Sequence, residues 1–452
     1  MFDYTKIIDA VPDYKVFLTV DEMDASSRKL AADYPDLCSV SVAGHSRAGH
    51  EILLLKIGSG AKNAFLFGCP HPNEPIGAMT VEYFSKALCE NPDFLKETGY
   101  TWYIIKSIDV DGTKLNENWF KGPFTLTNYA KNYFRPAGYQ QAEWTFPIDY
   151  KKYSFHASIP ETEVLMKCIE EIKPAFMYSL HNAGFGGTYW YLSKAFPDAW
   201  PLLYKASEKQ SVPLHLGEPE INYITPFSKA IYPMITLRQQ YDYQEQFGDI
   251  KTMRGGDSSC GYAETLGLDT VTLVTEMPYF TEPRIQSDKV MPYTRREVAL
   301  KALDERKKER DQVSELYASI KEFVTSDNPF AKFIWMMVEH GDTHYETQKK
   351  FIESSNDYSQ PCKESEAFDN IEAPKSSRLF TWGMLVRCCT YELDKNPDET
   401  AALALKKVQS AASENFDSRA KIAEADLNYD VISIQRLVRV QLESGLIIAG
   451  RI

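Results

Sequence analysis

Three side chains that could hold a metal stand just beyond apolar runs. His71 and Glu74 lie three positions apart in HPNEP, directly after residues 63–69 (NAFLFGC), which read as a buried strand. His181 ends a second such run, residues 175–182 (AFMYSLHN), at the start of the Gly-containing NAGFGG. Imidazole nitrogen and carboxylate oxygen are zinc ligands, and a catalytic zinc site keeps a position open beside three protein ligands. A His and a Glu three apart on a first helical turn can face one ion. Glu276 is a fourth candidate: it sits inside the apolar run TLVTEMPYF, where a carboxylate is costly without a partner or a task. By themselves these residues also read as a capping Glu with a chance His, and as a paired structural Glu.

The elements that must position them alternate in type. Residues 101–109 (TWYIIKSID) and 269–280 (DTVTLVTEMPYF) read as further strands. The runs IGAMTVEYFSKALCEN and ETEVLMKCIEEI read as helices, as does TVDEMDASSRKLAADYPD. Residues 38–57 alternate around a turn at Gly44–Gly49 and predict a hairpin. Strands alternating with helices predict a layered α/β sheet. In such a sheet, sites form beyond the carboxyl ends of strands, where His71, Glu74 and His181 fall. Residues 113–160 form a long stretch rich in Asn, Tyr, Trp, Pro and Gly, a length of loop that is usually functional. From about 290 the pattern turns helical, with a polar and mobile connection near 353–377. The expected division is residues 1–289 as a catalytic domain and 290–452 as an all-helical region.

Several ordered segments resemble the zinc carboxypeptidase family over about residues 20–285. GHSRAGHEI is similar to the Gly-x-Ser-x-x-Gly-Arg segment that precedes the family's first metal ligands. HPNE follows a strand and opens a helix, and VDG (110–112) stands where the family has Asn-Pro-Asp-Gly. IPETEVLMKCIEEIKPAFMYSLH resembles the Pro-Glu-Thr helix and the strand bearing the third ligand, and GGDSSCGYAETLG before VTE resembles the approach to the catalytic Glu. The resemblance implies a mixed, mainly parallel eight-stranded sheet flanked by helices. It implies one zinc per chain, held by His71, Glu74 and His181, and Glu276 as the general base that takes a proton from water and passes it to the leaving amine.

The departures concern substrate grip. The family has Arg between the paired ligands, where this chain has Pro72 and Asn73, and its Asn-Arg carboxylate clamp is absent from NYAKNYFRP. Lys131, Asn132 and Arg135 are the local substitutes, and Arg135 could form a fork of hydrogen bonds to a carboxylate or a structural ion pair. Lys121 is the cation near NENWFKGP, where the family's oxyanion-stabilising Arg would fall; it also reads as an exposed loop residue. Arg254, before a Gly-Gly pair, is another carboxylate candidate. Neither Tyr241 nor Tyr243 aligns with the family's mobile Tyr. His45, His50, His156 and His215 read as surface or loop histidines, and His340 and His344 as a helical pair interrupted by Gly341.

Composition narrows the classes. Lys and Arg total 50 against 63 Asp and Glu, a net charge of −13, which argues against nucleic acid and anionic membranes as partners. No apolar stretch approaches the roughly 20 residues needed to span a bilayer, and MFDYTKIIDAVPDYK has no signal-type apolar run, so the expected location is cytoplasmic. The eight cysteines lack paired CxxC spacing and read as reduced buried thiols. The leading expectation is a zinc metallopeptidase of carboxypeptidase type that hydrolyses an amide beside a free carboxylate, in a peptide or amino-acid conjugate. The alternatives are an N-acyl amino acid or amide hydrolase on the same scaffold, and a catalytically degenerate binding protein. The helical region could support a homo-oligomer.

Overall fold

The computed structural model describes residues 2–452. Its central sheet holds nine strands: β1 Cys38–His45, β2 Glu51–Ile57, β3 Lys62–Phe67, β4 Tyr100–Ile105, β5 Phe176–Phe185, β6 Tyr189–Leu192, β7 Ile231–Pro233, β8 Val271–Thr281 and β9 Asp430–Val431. The first eight run in the order β1-β2-β4-β3-β5-β8-β6-β7, and β9 pairs with β8. The central strands β4, β3, β5 and β8 are mutually parallel. The outer pairs β1-β2, β2-β4 and β8-β6 are antiparallel, which makes the sheet mixed.

The parallel strands are apolar on both sides because both faces are covered by helices. Phe65, Phe67 and Met177 meet Val164 and Leu165 of the Pro160–Ile172 helix and Met23 of the Val20–Asp33 helix. Leu66, Trp102, Tyr178 and Leu180 face the other way, into a core shared with the Pro75–Glu90 helix and the last helix, Ile434–Ala449. That last helix is buried along nearly its whole length.

Four expectations need correction. The strand predicted over 101–109 ends at Ile105, because Asp109 turns back to cap the Val110–Asn116 helix, accepting from Gly112 N at 3.0 Å. The stretch 113–160 is not one loop: it holds a helix at Leu126–Asn132 and a hairpin at Ile148–Tyr150 and Tyr153–Phe155. The segment near 353–377 is built in, with a strand at Pro361–Lys363 paired to Val290–Thr294 and a helix at Glu364–Ile371. Its polar residues are used in pairs, such as Asp369 with His215 Nε2 at 3.0 Å. Residues 290–452 are therefore not all-helical, and β9 lies in the central sheet. All eight cysteines are free and buried.

Candidate metal centre

β3 ends two residues before the turn that carries His71, and Cys69 within that turn adopts a left-handed backbone (φ 49°). Glu74 is the N-cap of the Pro75–Glu90 helix, with Pro75 pre-set for its first position. The helix can press against β5 because Gly77 faces Leu180; a Cβ there would lie 2.6 Å from Leu180 Cβ. Asn182 locks the junction. Its Oδ1 accepts from Ile76 N at 3.2 Å, and its own N–H donates to Glu74 Oε2 at 3.2 Å.

The three candidate ligands converge. His71 Nδ1 lies 3.0 Å from Glu74 Oε1, His181 Nδ1 lies 3.1 Å from Glu74 Oε2, and the two Nδ1 atoms are 3.2 Å apart. One donor atom from each residue falls within 4.8 Å of the others, and all three residues are buried. Ligand atoms about 2.1 Å from a tetrahedral ion lie roughly 3.4 Å from one another, so the cluster has the dimensions of a zinc site. Ser179 Oγ lies 2.8 Å from His181 Nε2 and leaves Nδ1 to face the cluster.

Charge is tightly managed. Burial, aided by the Arg135 charge, pushes the His71 imidazole down to about 3, so the ring is neutral and free to ligate. Burial opposes ionisation of Glu74, but His71, His181 and Arg135 outweigh it and hold the carboxylate charged. Glu276 stands beside His181 on β8, one oxygen 3.9 Å from His181 Nδ1. Burial, with Glu74 and Glu220 nearby, lifts it well above the usual carboxylate range despite His181 and Arg135.

Of the substrate-binding candidates, the structure brings Arg135 to the cluster, with Nη1 donating to Glu74 Oε1 at 3.1 Å and Nη2 2.8 Å from His71 Nδ1. The others point elsewhere. Lys121 donates to Phe17 O at 2.9 Å and Glu22 at 2.6 Å, because the short helical turn at Glu117–Trp119 aims it at the N-terminal segment. Lys131 is exposed on the Leu126–Asn132 helix, and Asn132 bonds back to Asn128 O at 3.0 Å. Arg254 donates to His340 Nε2 at 2.9 Å in a separate cleft. Tyr241 is buried in a small satellite core, and Tyr243 stacks on Tyr223. Among the described residues, His71, Glu74 and His181 are the one cluster with metal-site dimensions; His340 and His344 form none. His215, read as a loop histidine, is largely enclosed by its Asp369 pairing.

Three residues were missed. Ser179 and Asn182 flank a ligand and carry no distinctive spacing. Glu143, buried and accepting from Ser259 Oγ at 2.5 Å, lies close enough for its charge to act on His181. A lone Glu among QQAEWTF was the available signal for it.

The sequence profile of the zinc carboxypeptidase family matches residues 23–264, more than half of the chain. The chain belongs to the zinc carboxypeptidase family. A carboxypeptidase B from Astacus astacus is 33% identical over 107 residues, which cover 22% of this chain and 35% of that protein. The match thus spans about a third of that relative's length. Among solved structures, a metallo-carboxypeptidase from Burkholderia cenocepacia is 15% identical with a TM-score of 0.35, covering 58% of this chain and 60% of the other. The carboxypeptidase A of Helicoverpa armigera is 17% identical with a TM-score of 0.34, covering 58% and 65%. As a zinc carboxypeptidase family member, the chain carries a His-Glu-His cluster whose donor chemistry suits the family's metal.

Proposed function

We propose that this chain is a zinc-dependent hydrolase that cleaves an amide bond beside a free carboxylate, in a peptide or an amino-acid conjugate. The observation that carries the reading is the convergence of His71, Glu74 and His181 with Glu276 in register beside them. His71, Glu74 and His181 would hold one zinc, which when bound polarises a carbonyl and brings water toward ionisation at neutral pH.

The chain's own groups supply the rest. Among the described residues the Glu276 carboxylate faces His181 Nδ1 at 3.9 Å, beyond hydrogen-bond distance, and its proton affinity is raised, which suits a group that accepts a proton from water and returns it to the departing nitrogen. Arg135 is the guanidinium within reach of the centre, and its planar fork suits a substrate carboxylate. Residues 1–289 would carry this apparatus and residues 290–452 would brace it.

The test joins metal analysis to turnover. We expect about one zinc per chain, lost on His71→Ala/His181→Ala. We expect Glu276→Gln to keep the zinc and lose roughly 10²–10⁴-fold in kcat on whichever peptide or N-acyl amino acid is the better substrate. Zinc-loaded protein that cleaves nothing in a broad panel of both would overturn the reading.

A further inference from the structure

The helix Arg295–Ala318 sets Leu303, Arg306, Lys307 and Arg310 on one face, because residues three and four apart lie side by side on a helix. With the end of the Pro329–Val338 helix and the start of the Gly341–Ser354 helix, that face encloses a cavity of about 500 Å³. Tyr139, Met253 and Arg254 complete its wall, so the cavity lies where helices beyond residue 290 meet the family-matched part of the chain. Gly138 N donates to Met336 Sδ at 3.1 Å and ties the two parts together at the cavity wall. None of His71, Glu74, His181 and Glu276 lines it.

Three of the four Lys and Arg side chains on this wall are already matched. Lys307 pairs with Asp311 at 2.7 Å, and Arg310 pairs with Asp342 at 2.7 Å. Arg254 donates to His340 Nε2 at 2.9 Å and stands 3.7 Å from Glu339. The fourth, Arg306, is exposed and makes no ion pair or side-chain hydrogen bond among the described residues. Glu218 lies close enough for its charge to act on Arg306, but its oxygens are taken by Arg295 Nε at 2.8 and 3.1 Å. Arg378, whose Nε is buried without a partner, adds a second positive charge beside Arg306. Burial, with the charges of Arg306 and Arg310, holds the neighbouring His344 imidazole below its ordinary value.

The rest of the wall is apolar. Met253 and Leu303 are buried, Met336 is half-buried, and Met337 is 40% exposed. Methionine side chains adapt to varied apolar shapes, and a cavity of this size with an apolar wall and few convergent polar groups has the character of a small-molecule site. One unmatched guanidinium calls for one negative charge, and its planar fork fits the two oxygens of a carboxylate. We propose that this cavity binds an amphiphilic carboxylate, with the head group on Arg306 and the apolar chain against Met253, Leu303, Met336 and Met337. The site stands apart from the metal cluster, so the inference does not rest on the hydrolase reading.

Titration calorimetry on the zinc-loaded chain tests both halves of the site. Octanoate is compared with octanamide, which has the same chain and no charge, and with butyrate, which has the same charge and a shorter chain. We expect octanoate to bind at least about tenfold more tightly than either. Arg306→Gln should bring octanoate down to the level of octanamide. Met337→Glu, which sets a negative charge on the apolar wall, should weaken octanoate at least about tenfold. Both positions are exposed, so both variants should keep the wild-type melting temperature, which separates a lost site from a lost fold. Equal binding of octanoate and octanamide to the wild-type chain overturns the proposal, as does butyrate binding as tightly as octanoate. A preference for octanoate that survives Arg306→Gln also overturns it, and would put the carboxylate at the metal centre or on Arg135 instead.

Discussion

His181 has two ring nitrogens, and its neighbour Ser179 decides which one is free. With Ser179 Oγ 2.8 Å from Nε2, the other nitrogen faces Glu74 and His71. Partners on the far nitrogen fix the tautomer and aim of a ligand histidine, and their loss typically lowers metal affinity ten- to a hundredfold. Ser179→Ala is therefore expected to weaken zinc binding by about 10–100-fold in a chelator competition while leaving the fold intact. Unchanged affinity would mean that packing alone orients the ring. At this scale the sequence was informative where chemistry imposes a residue type. The sequence singles out His71, Glu74 and His181 because each is a polar group following an apolar run, and the fold brings these three together. Lys121 and Arg254 point away from the cluster, which the sequence leaves open because a cation in a loop has many possible directions. Only the fold shows that Lys121 meets Glu22 and Arg254 meets His340.

Between elements, the segments that resemble the family meet in one polar joint. Arg47 of the β1–β2 turn donates to Glu161 at 3.2 Å and reaches Asp109 at 3.5 Å, while Asp111 takes Ser46 Oγ at 2.7 Å and Ala48 N at 2.8 Å. GHSRAG, VDG and PET are thus three faces of a single contact. Their order in the sequence was readable; their mutual dependence was not, because it joins residues 62 to 114 positions apart. Burial pushes Asp109 up to about 7, against the opposing pull of Arg47 and with Glu161 adding to the rise. Its folded-state pKa lies above the unfolded value near 3.9, so the folded chain holds a proton that the unfolded chain releases. The stability this contributes is complete below pH 4 and is lost as pH climbs through about 7. Asp109→Asn keeps the shape and removes the titration. Its melting temperature relative to the wild type should rise between pH 5 and pH 8, measured by thermal denaturation at both values. A difference that stays constant with pH would mean that Asp109 is ionised throughout.

For the whole molecule, the change of texture near residue 290 marks a change of secondary structure within a continuous core. The Ile434–Ala449 helix lies behind the strands that carry the site. Gln441 Nε2 donates to His181 O at 3.0 Å and Thr275 O at 3.2 Å, and Gln441 Oε1 accepts from Thr80 Oγ1 at 2.8 Å. These contacts fall where the β5–β8 register shifts, between Glu276 and Pro278. Gln441 thus joins both site strands and the helix that follows Glu74. Nothing in IQRLVRVQLESGLIIA announces this, since a Gln on an amphipathic helix ordinarily reads as solvated. Arg387 bonds to Asn132 O at 2.7 Å and Leu115 O at 2.8 Å, and Trp190 Nε1 donates to Ser444 Oγ at 3.0 Å, so the later helices complete the earlier layers at several points. A chain ending at residue 289 would expose Leu66, Ile104, Tyr178 and Leu180, which share the core with Leu437, Val438 and Leu446. It is expected to aggregate rather than yield a soluble zinc-binding monomer. Gln441→Leu is the finer probe, because it keeps the apolar cover and removes three hydrogen bonds. It should cost at least about 2 kcal/mol in denaturant unfolding, the penalty of buried unpaired carbonyls, and weaken zinc binding through the shifted His181 strand. A stable, zinc-binding 1–289 fragment would show instead that the helical region is an appendage and that the catalytic layer closes on its own.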